Sequence, residues 1–275
     1  MKAPSWLIEQ SLSEDLGKSG DLTTHFFVPA SAKILCFVIL KADGVVCGAE
    51  IAKQVFQKVD RSSKISIIVP DGRAAKAGQK ILKIKGSREI LTAERIALNF
   101  LQHLSGIASL TRQFVMETRG ARAKIFDTRK TLPGWRILEK YAVKCGGGEN
   151  HRFGLYDMVL LKDNHWEFGS LRNGLALLKK KYPKISVEIE ADRMSRVQAA
   201  LTLKPDMILL DNMNPDQIKE AILLIRASSK KIQIEISGGV NLQNVRALAQ
   251  LGPDRISIGR ITHSAPALDM SLEVV

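Results

Sequence analysis

From about residue 120 onward, short apolar runs recur every ~20 to 30 residues, and each ends in polar or glycine residues before a helix-like stretch. The runs are 124–126, 158–161, 186–189, 207–210, 232–236 and 255–258. Repetition of this kind is the pattern of βα units around a parallel sheet. Six units predict a barrel or a partial barrel. A doubly wound open sheet is the alternative that periodicity leaves open.

The residues that close each run carry the chemical information. They are Asp127-Thr128-Arg129-Lys130, Lys162-Asp163-Asn164-His165, Glu190, Asp211-Asn212, Ser237-Gly238-Gly239 and Gly259-Arg260. In a parallel barrel the C-terminal strand ends converge on one face, where catalytic residues sit. One polar strand end is simply the start of a loop. Six in succession predict a shared pocket.

The first hundred residues lack this repeat. Apolar stretches at 34–40 and 65–69, with turn signals at Asp43-Gly44 and Asp71-Gly72, predict strands of an α+β domain. A helical pattern then runs from 92 to about 117, with Thr92 and Glu94 as its start and an interruption near Ser105-Gly106. The boundary is placed near Ser105, giving residues 1–105 and 106–275. The last residues are an optional return to the first domain.

The chain has 275 residues, 45% of them hydrophobic, enough for a substantial core, and 41 Lys and Arg against 28 Asp and Glu, for a net charge of +13. Such a field attracts anions, either nucleic acid or phosphorylated small molecules. The cations are scattered, the longest tract being Lys179-Lys180-Lys181, and no nucleic-acid module is recognisable. Small anions are the favoured partners. No apolar run approaches the ~18 residues of a spanning helix, and the N-terminus carries acids where a signal peptide has its apolar core, so a cytoplasmic protein is expected. Cys36, Cys47 and Cys145 have no metal-type spacing and read as packed thiols of a reducing compartment.

Three groups of residues could carry chemistry. Ser237-Gly238-Gly239 and Gly259 follow the last two strands, where barrel loops bind phosphate through backbone N–H groups; a tight strand-to-helix turn is the plainer reading. Arg129, Lys130, His151, Arg152 and Lys162 fall on neighbouring strand ends, beside Gly146-Gly147-Gly148, and would repel one another unless an anion joins them. Glu190 and Asp211 would face the same mouth, to bind ribose hydroxyls, hold Mg²⁺ or stabilise developing positive charge, or else to pair structurally with Lys162 or Arg129.

The segments DTRKTLPGWRILEKYAVKCGGGENHR, KDNH, VEIE, LLDNM, IEISGG and ISIGRITHSAPALDMSL, together with EDLGKSGDLTT and AERIALNFLQHLSGIAS near the N-terminus, closely resemble quinolinate phosphoribosyltransferases over nearly the whole chain. The resemblance implies an N-terminal α/β sandwich and a C-terminal incomplete α/β barrel, assembled as a homodimer or larger homo-oligomer. It implies reaction of quinolinate with phosphoribosyl pyrophosphate to nicotinate mononucleotide, pyrophosphate and CO₂ with Mg²⁺, a step of de novo NAD biosynthesis. Carried over by motif, Thr128, Arg129, Lys130, His151, Arg152 and Lys162 would bind substrate at the quinolinate side, with Arg95 supplied across the dimer interface. Glu190 and Asp211 would serve the ribose and metal side, with Lys130 joining them as a catalytic group, and Ser237, Gly238, Gly239, Ile258 and Gly259 would cradle the 5-phosphate. Leu132, Trp135, Glu149 and Arg260 depart from the family pattern without removing a named ligand. A branch associated with molybdenum transport shares the fold, but the intact KDNH and LLDN segments argue against it. A nicotinate-specific, non-decarboxylating enzyme would leave the surplus carboxylate-binding cations unexplained.

Overall fold

The computed structural model describes residues 1–168 and 170–275. In chain order the elements are α1 (Ser5–Leu16), α2 (Leu22–Phe27), β1 (Lys33–Leu40), β2 (Gly44–Val45), α3 (Ala49–Val59), β3 (Lys64–Ile67), β4 (Ala74–Ala75), β5 (Lys80–Ser87) and α4 (Glu89–Glu117). They continue as β6 (Lys124–Phe126), α5 (Arg136–Gly146), β7 (Val159–Leu161), a short 3₁₀ helix (Asp163–Glu167), α6 (Leu171–Lys181), β8 (Val187–Ala191), α7 (Met194–Thr202) and β9 (Met207–Asp211). The last are α8 (Pro215–Ser228), β10 (Gln233–Ser237), α9 (Val245–Gln250), β11 (Arg255–Ser257), α10 (Arg260–His263) and β12 (Met270–Val274). Contacts divide the chain into two compact units, one of residues 1–112, 131–147 and 261–275, the other of 113–130 and 148–260. Both units are therefore discontinuous in sequence. No described helix is long and apolar enough to cross a membrane.

The first unit is built on an antiparallel sheet in the order β12-β1-β5-β3. On β1, alternate residues Cys36, Val38 and Leu40 are buried, as a one-sided sheet requires. Against such a surface α3 presents an apolar stripe of Ile51, Ala52, Val55 and Phe56, set by its helical spacing. The C-terminal strand β12 pairs with β1, from Leu40↔Met270 to Cys36↔Val274.

Two details of α4 differ from the sequence expectation. It begins at Glu89, not Thr92, whose hydroxyl instead donates to Asp21 at 2.8 Å. It also runs unbroken through Ser105-Gly106. Ser105 Oγ accepts from Cys47 N and donates to Cys47 O, and a Cβ on Gly106 would lie 2.1 Å from Pro266 O. These residues serve close packing within a helix, a role that resembles a helix break in sequence.

In the second unit six parallel strands take the order β6-β11-β10-β9-β8-β7. The order climbs one strand at a time from β7 to β11 and never reverses, so the sheet has no switch point of the doubly wound kind. Pairing of β11 with β6 starts the closure and leaves β6 and β7 at the two edges: the architecture is an incomplete α/β barrel. Register separates the two faces. Ile125, Val187, Ile189, Ile208, Leu210, Ile234, Ile236 and Ile256 share one face, the uniformly apolar one that helices cover. The other face carries Glu188, Glu190, Asp211, Glu235, Ser237, Arg255 and Ser257 among its apolar residues.

Asp60, at the C-terminus of α3, ties the first unit together locally. Its buried carboxylate accepts from the backbone N–H and hydroxyl of both Ser62 and Ser87, at 2.7 to 2.9 Å. Burial opposes the charged form, but these hydrogen bonds overcome it and hold the pKa down at about 2. The stabilisation is therefore fully present above the unfolded value of about 4 and is lost as pH falls through 2. Urea titrations of wild type and Asp60→Asn should show a stability gap that is widest at pH 5 and narrows toward pH 2. A gap that ignores pH would contradict this assignment.

Candidate active site

The C-terminal ends of β8, β9 and β10 bring Glu190, Asp211 and Ser237 onto the polar face of the sheet, Asp211 directly opposite Ser237 in register. Lys162, just after β7, reaches Glu190, its Nζ 2.8 Å from Oε2. Asp211 is held above the usual carboxylate range, first by burial and then by the charge of Glu190; Lys162, a hydrogen bond from Asn212 and Lys130 partly offset this. Two carboxylates and two ammonium groups thus interact at one strand end. The pairing of Glu190 with Lys162 is the structural alternative foreseen from sequence, and it coexists with the clustering of the four groups.

The glycine turn after β10 depends on its neighbours. Gly238 has φ +87°, and a Cβ there would lie 2.2 Å from Asn212 Oδ1. Only glycine fits. Gly239, at φ +62°, faces open space, so its backbone can be approached closely from outside. Ile258 is a different case: it is buried and its N–H donates to Phe126 O at 3.0 Å, so that amide serves the fold and not a ligand. Gly259, on the loop that follows, is half-buried.

The cations of the opposite side come from two segments. Thr128, Arg129 and Lys130 follow β6, the Thr128 hydroxyl accepting from Lys130 N. Residues 148–151 lie along the edge of β6 away from β11: Glu149 N donates to Ile125 O, Asp127 N to Glu149 O, and His151 N to the buried Asp127 Oδ1. That pairing delivers Arg152 beside Arg129. Burial and then the charge of Arg129 depress the Arg152 guanidinium below its usual range, while Nη1 donates to Met158 O at 3.2 Å. Arg95, the remaining cation of the predicted set, is an exposed residue of α4 in the first unit.

His151 departs from the role carried over to it. Its ring is buried, Nδ1 accepts from Arg152 N at 2.7 Å, and Nε2 lies 3.1 Å from Glu188 Oε2 and 3.3 Å from Glu235 Oε1. Both nitrogens face protein groups. Burial opposes the imidazolium and Glu188 and Glu235 favour it, but the Arg152 N–H directed at Nδ1 leaves that nitrogen without a proton, so the ring is held as the neutral tautomer with its proton on Nε2. Glu188 is raised to about 7, by burial and by Glu235. The sequence reading passed over Glu188 and Glu235. Their signal was present in VEIE and IEIS, where each sits on the same strand parity as Glu190 or Ser237.

A barrel edge that collects guanidinium groups, ammonium groups, carboxylates and glycine turns defines an enzyme of small anions, and comparison with known proteins narrows it to the phosphoribosyltransferases. Residues 21–105 match the N-terminal domain of quinolinate phosphoribosyl transferase, and residues 107–273 match its C-terminal domain. The chain belongs to that family. It is 38% identical to the nicotinate-nucleotide pyrophosphorylase [carboxylating] of Mycobacterium leprae, covering 97% of this chain and 95% of that protein. The solved nicotinate-nucleotide pyrophosphorylase of Ehrlichia chaffeensis is 41% identical with a TM-score of 0.92, covering 98% of both chains. The one from Francisella tularensis is 36% identical with a TM-score of 0.91, covering 98% of this chain and 95% of that one.

The Gly238 contact gives a direct test of the turn. Gly238→Ala should destabilise the protein by ~1–3 kcal/mol in urea unfolding, through both overpacking and the left-handed backbone. Gly239→Ala, with open space around it, should cost less, ~1 kcal/mol.

Proposed function

We propose that this enzyme joins quinolinate to the ribosyl carbon of phosphoribosyl pyrophosphate, giving nicotinate mononucleotide, pyrophosphate and CO₂ for NAD biosynthesis. The observation that carries the proposal is the pairing of residues 148–151 with β6, which sets Arg152 near Arg129. Two like charges held together and partly desolvated favour a ligand with adjacent carboxylates, and quinolinate has two. Each charge-assisted hydrogen bond to such a group contributes ~1.5 to 3 kcal/mol.

Each remaining group has a task in that reaction. As the pyridine nitrogen attacks and pyrophosphate leaves, positive character grows on the sugar, and Glu190 and Asp211 are placed to stabilise it. Lys130 and Lys162 are the cations nearest those carboxylates and suit the phosphate oxygens. The Ser237 hydroxyl and the Gly238-Gly239 and Gly259 backbone suit the 5-phosphate. A quaternised pyridinium accepts the electrons left by the departing carboxylate, so the protein itself mainly positions and neutralises.

Mg²⁺ fits the donor set, because Asp211 and Glu190 are oxygen donors whose mutual repulsion raises Asp211 and would be relieved by a cation. The ion, when bound, would supply charge neutralisation for the pyrophosphate, with Glu190 and Asp211 holding it through water or substrate. A cytoplasmic homodimer or higher homo-oligomer completes the proposal. Residues 1–105 provide subunit contacts and the parallel-stranded unit of 113–130 and 148–260 the catalytic barrel, while the exposed Arg95 of one copy serves the site of another. Phe26 and Phe27 of α2, 71% and 84% exposed, support an interface that covers this face.

Steady-state kinetics test the carboxylate site. Arg129→Ala and Arg152→Ala should each lower kcat/KM for quinolinate at least tenfold, about 1.4 kcal/mol or more. Unchanged turnover in both variants would remove the pair from the site.

A further inference from the structure

Glu188 and Glu235 have no role in the reaction as described, yet both have no solvent exposure and neither receives a hydrogen bond from another described residue. Their contact is the His151 ring, whose Nε2 lies between them. Two carboxylates so deeply buried are costly, and a folded protein tolerates the cost only where other groups compensate it or function needs it.

The three ligand-type atoms lie within 4.8 Å of one another, a spacing that would also suit a metal ion. The far side of the ring decides against that reading. Nδ1 accepts the Arg152 N–H at 2.7 Å, so the Nδ1 lone pair is in use and the ring proton sits on Nε2, facing the carboxylates. A metal on Nε2 would need that nitrogen bare, and a metal-bound imidazole ordinarily donates through its other nitrogen. Here Nε2 faces the carboxylates at 3.1 and 3.3 Å and Nδ1 accepts from the backbone, so the ring is a strut with a fixed direction.

The strut ends at the amide of Arg152. We propose that Glu188 and Glu235 are positioning residues that act through His151 to fix the Arg152 backbone, so that Arg152 is set in place before substrate arrives. His151 then acts through Arg152, with no need to touch the substrate itself. This proposal rests on the functional reading above, because it assigns the preorganisation of the same carboxylate site.

The test compares wild type with Glu188→Gln, Glu235→Gln and the double variant, as full-length protein, with thermal unfolding to confirm that each is folded. Calorimetric titration with quinolinate, and separately with phosphoribosyl pyrophosphate and Mg²⁺, gives the two affinities, and steady-state kinetics give KM and kcat. The double variant should bind quinolinate at least tenfold more weakly, with a matching rise in its KM, a kcat within about threefold and phosphoribosyl pyrophosphate affinity within about twofold. A role confined to stability would lower the unfolding temperature and leave that selectivity absent. Should the double variant not fold, His151→Asn and His151→Leu carry the same test. Asn can accept the Arg152 N–H and should restore quinolinate affinity that Leu loses. Unchanged quinolinate affinity in folded variants, or equal loss for both substrates, overturns the proposal. Wild type that binds no quinolinate at all overturns the functional reading first and this one with it.

Discussion

The anion site depends on residues 148–151 running along the outer edge of β6. Three hydrogen bonds, Glu149 N to Ile125 O, Asp127 N to Glu149 O, and His151 N to Asp127 Oδ1, lock that segment to the strand. An edge strand exposes unpaired backbone groups, and in an incomplete barrel β6 has such an edge. Pairing it with the segment that bears His151 and Arg152 satisfies the edge and brings the second arginine next to the first. One set of hydrogen bonds thus completes the sheet edge and brings together the two arginines proposed to bind carboxylates.

Charge inside the barrel follows from the same construction. The helix-facing side of the strands is apolar throughout, so polar residues on alternate positions can only turn inward. Glu190, Asp211 and Ser237 lie at the strand ends, where substrate can reach them. Glu188 and Glu235 lie two residues deeper, where only protein can. The outer carboxylates are the ones proposed to meet ligand, and the inner ones are enclosed by protein. In the proposed reaction, a molecule with a net charge of +13 would attract its anionic substrates while Glu190 and Asp211 keep negative charge beside the sugar.

Much of this was legible in the sequence. The six apolar runs located β6 through β11 within a residue or two, because a parallel strand followed by a polar loop is a local pattern. The strand-end residues Arg129, Lys162, Glu190, Asp211 and Gly238 were found for the same reason. Other features were hidden because they depend on partners distant in sequence. Ser105-Gly106 resembled a helix break, since the close approach of Pro266 has no local signal. The strand β5 went unmarked, its alternating lysines masking the buried Ile81, Leu82 and Ile84. His151 could be placed beside Arg152 from sequence but its orientation could not be read, because the ring faces Glu188 and Glu235 from two other strands.

The most direct measurement mixes the purified protein with phosphoribosyl pyrophosphate and Mg²⁺ and either quinolinate or nicotinate, and follows nicotinate mononucleotide and CO₂. Paired guanidinium groups for adjacent carboxylates predict turnover with quinolinate, one CO₂ released per nucleotide formed, and little or none with nicotinate. Equal or better turnover with nicotinate, or no nucleotide from either acid in folded protein, would contradict the account.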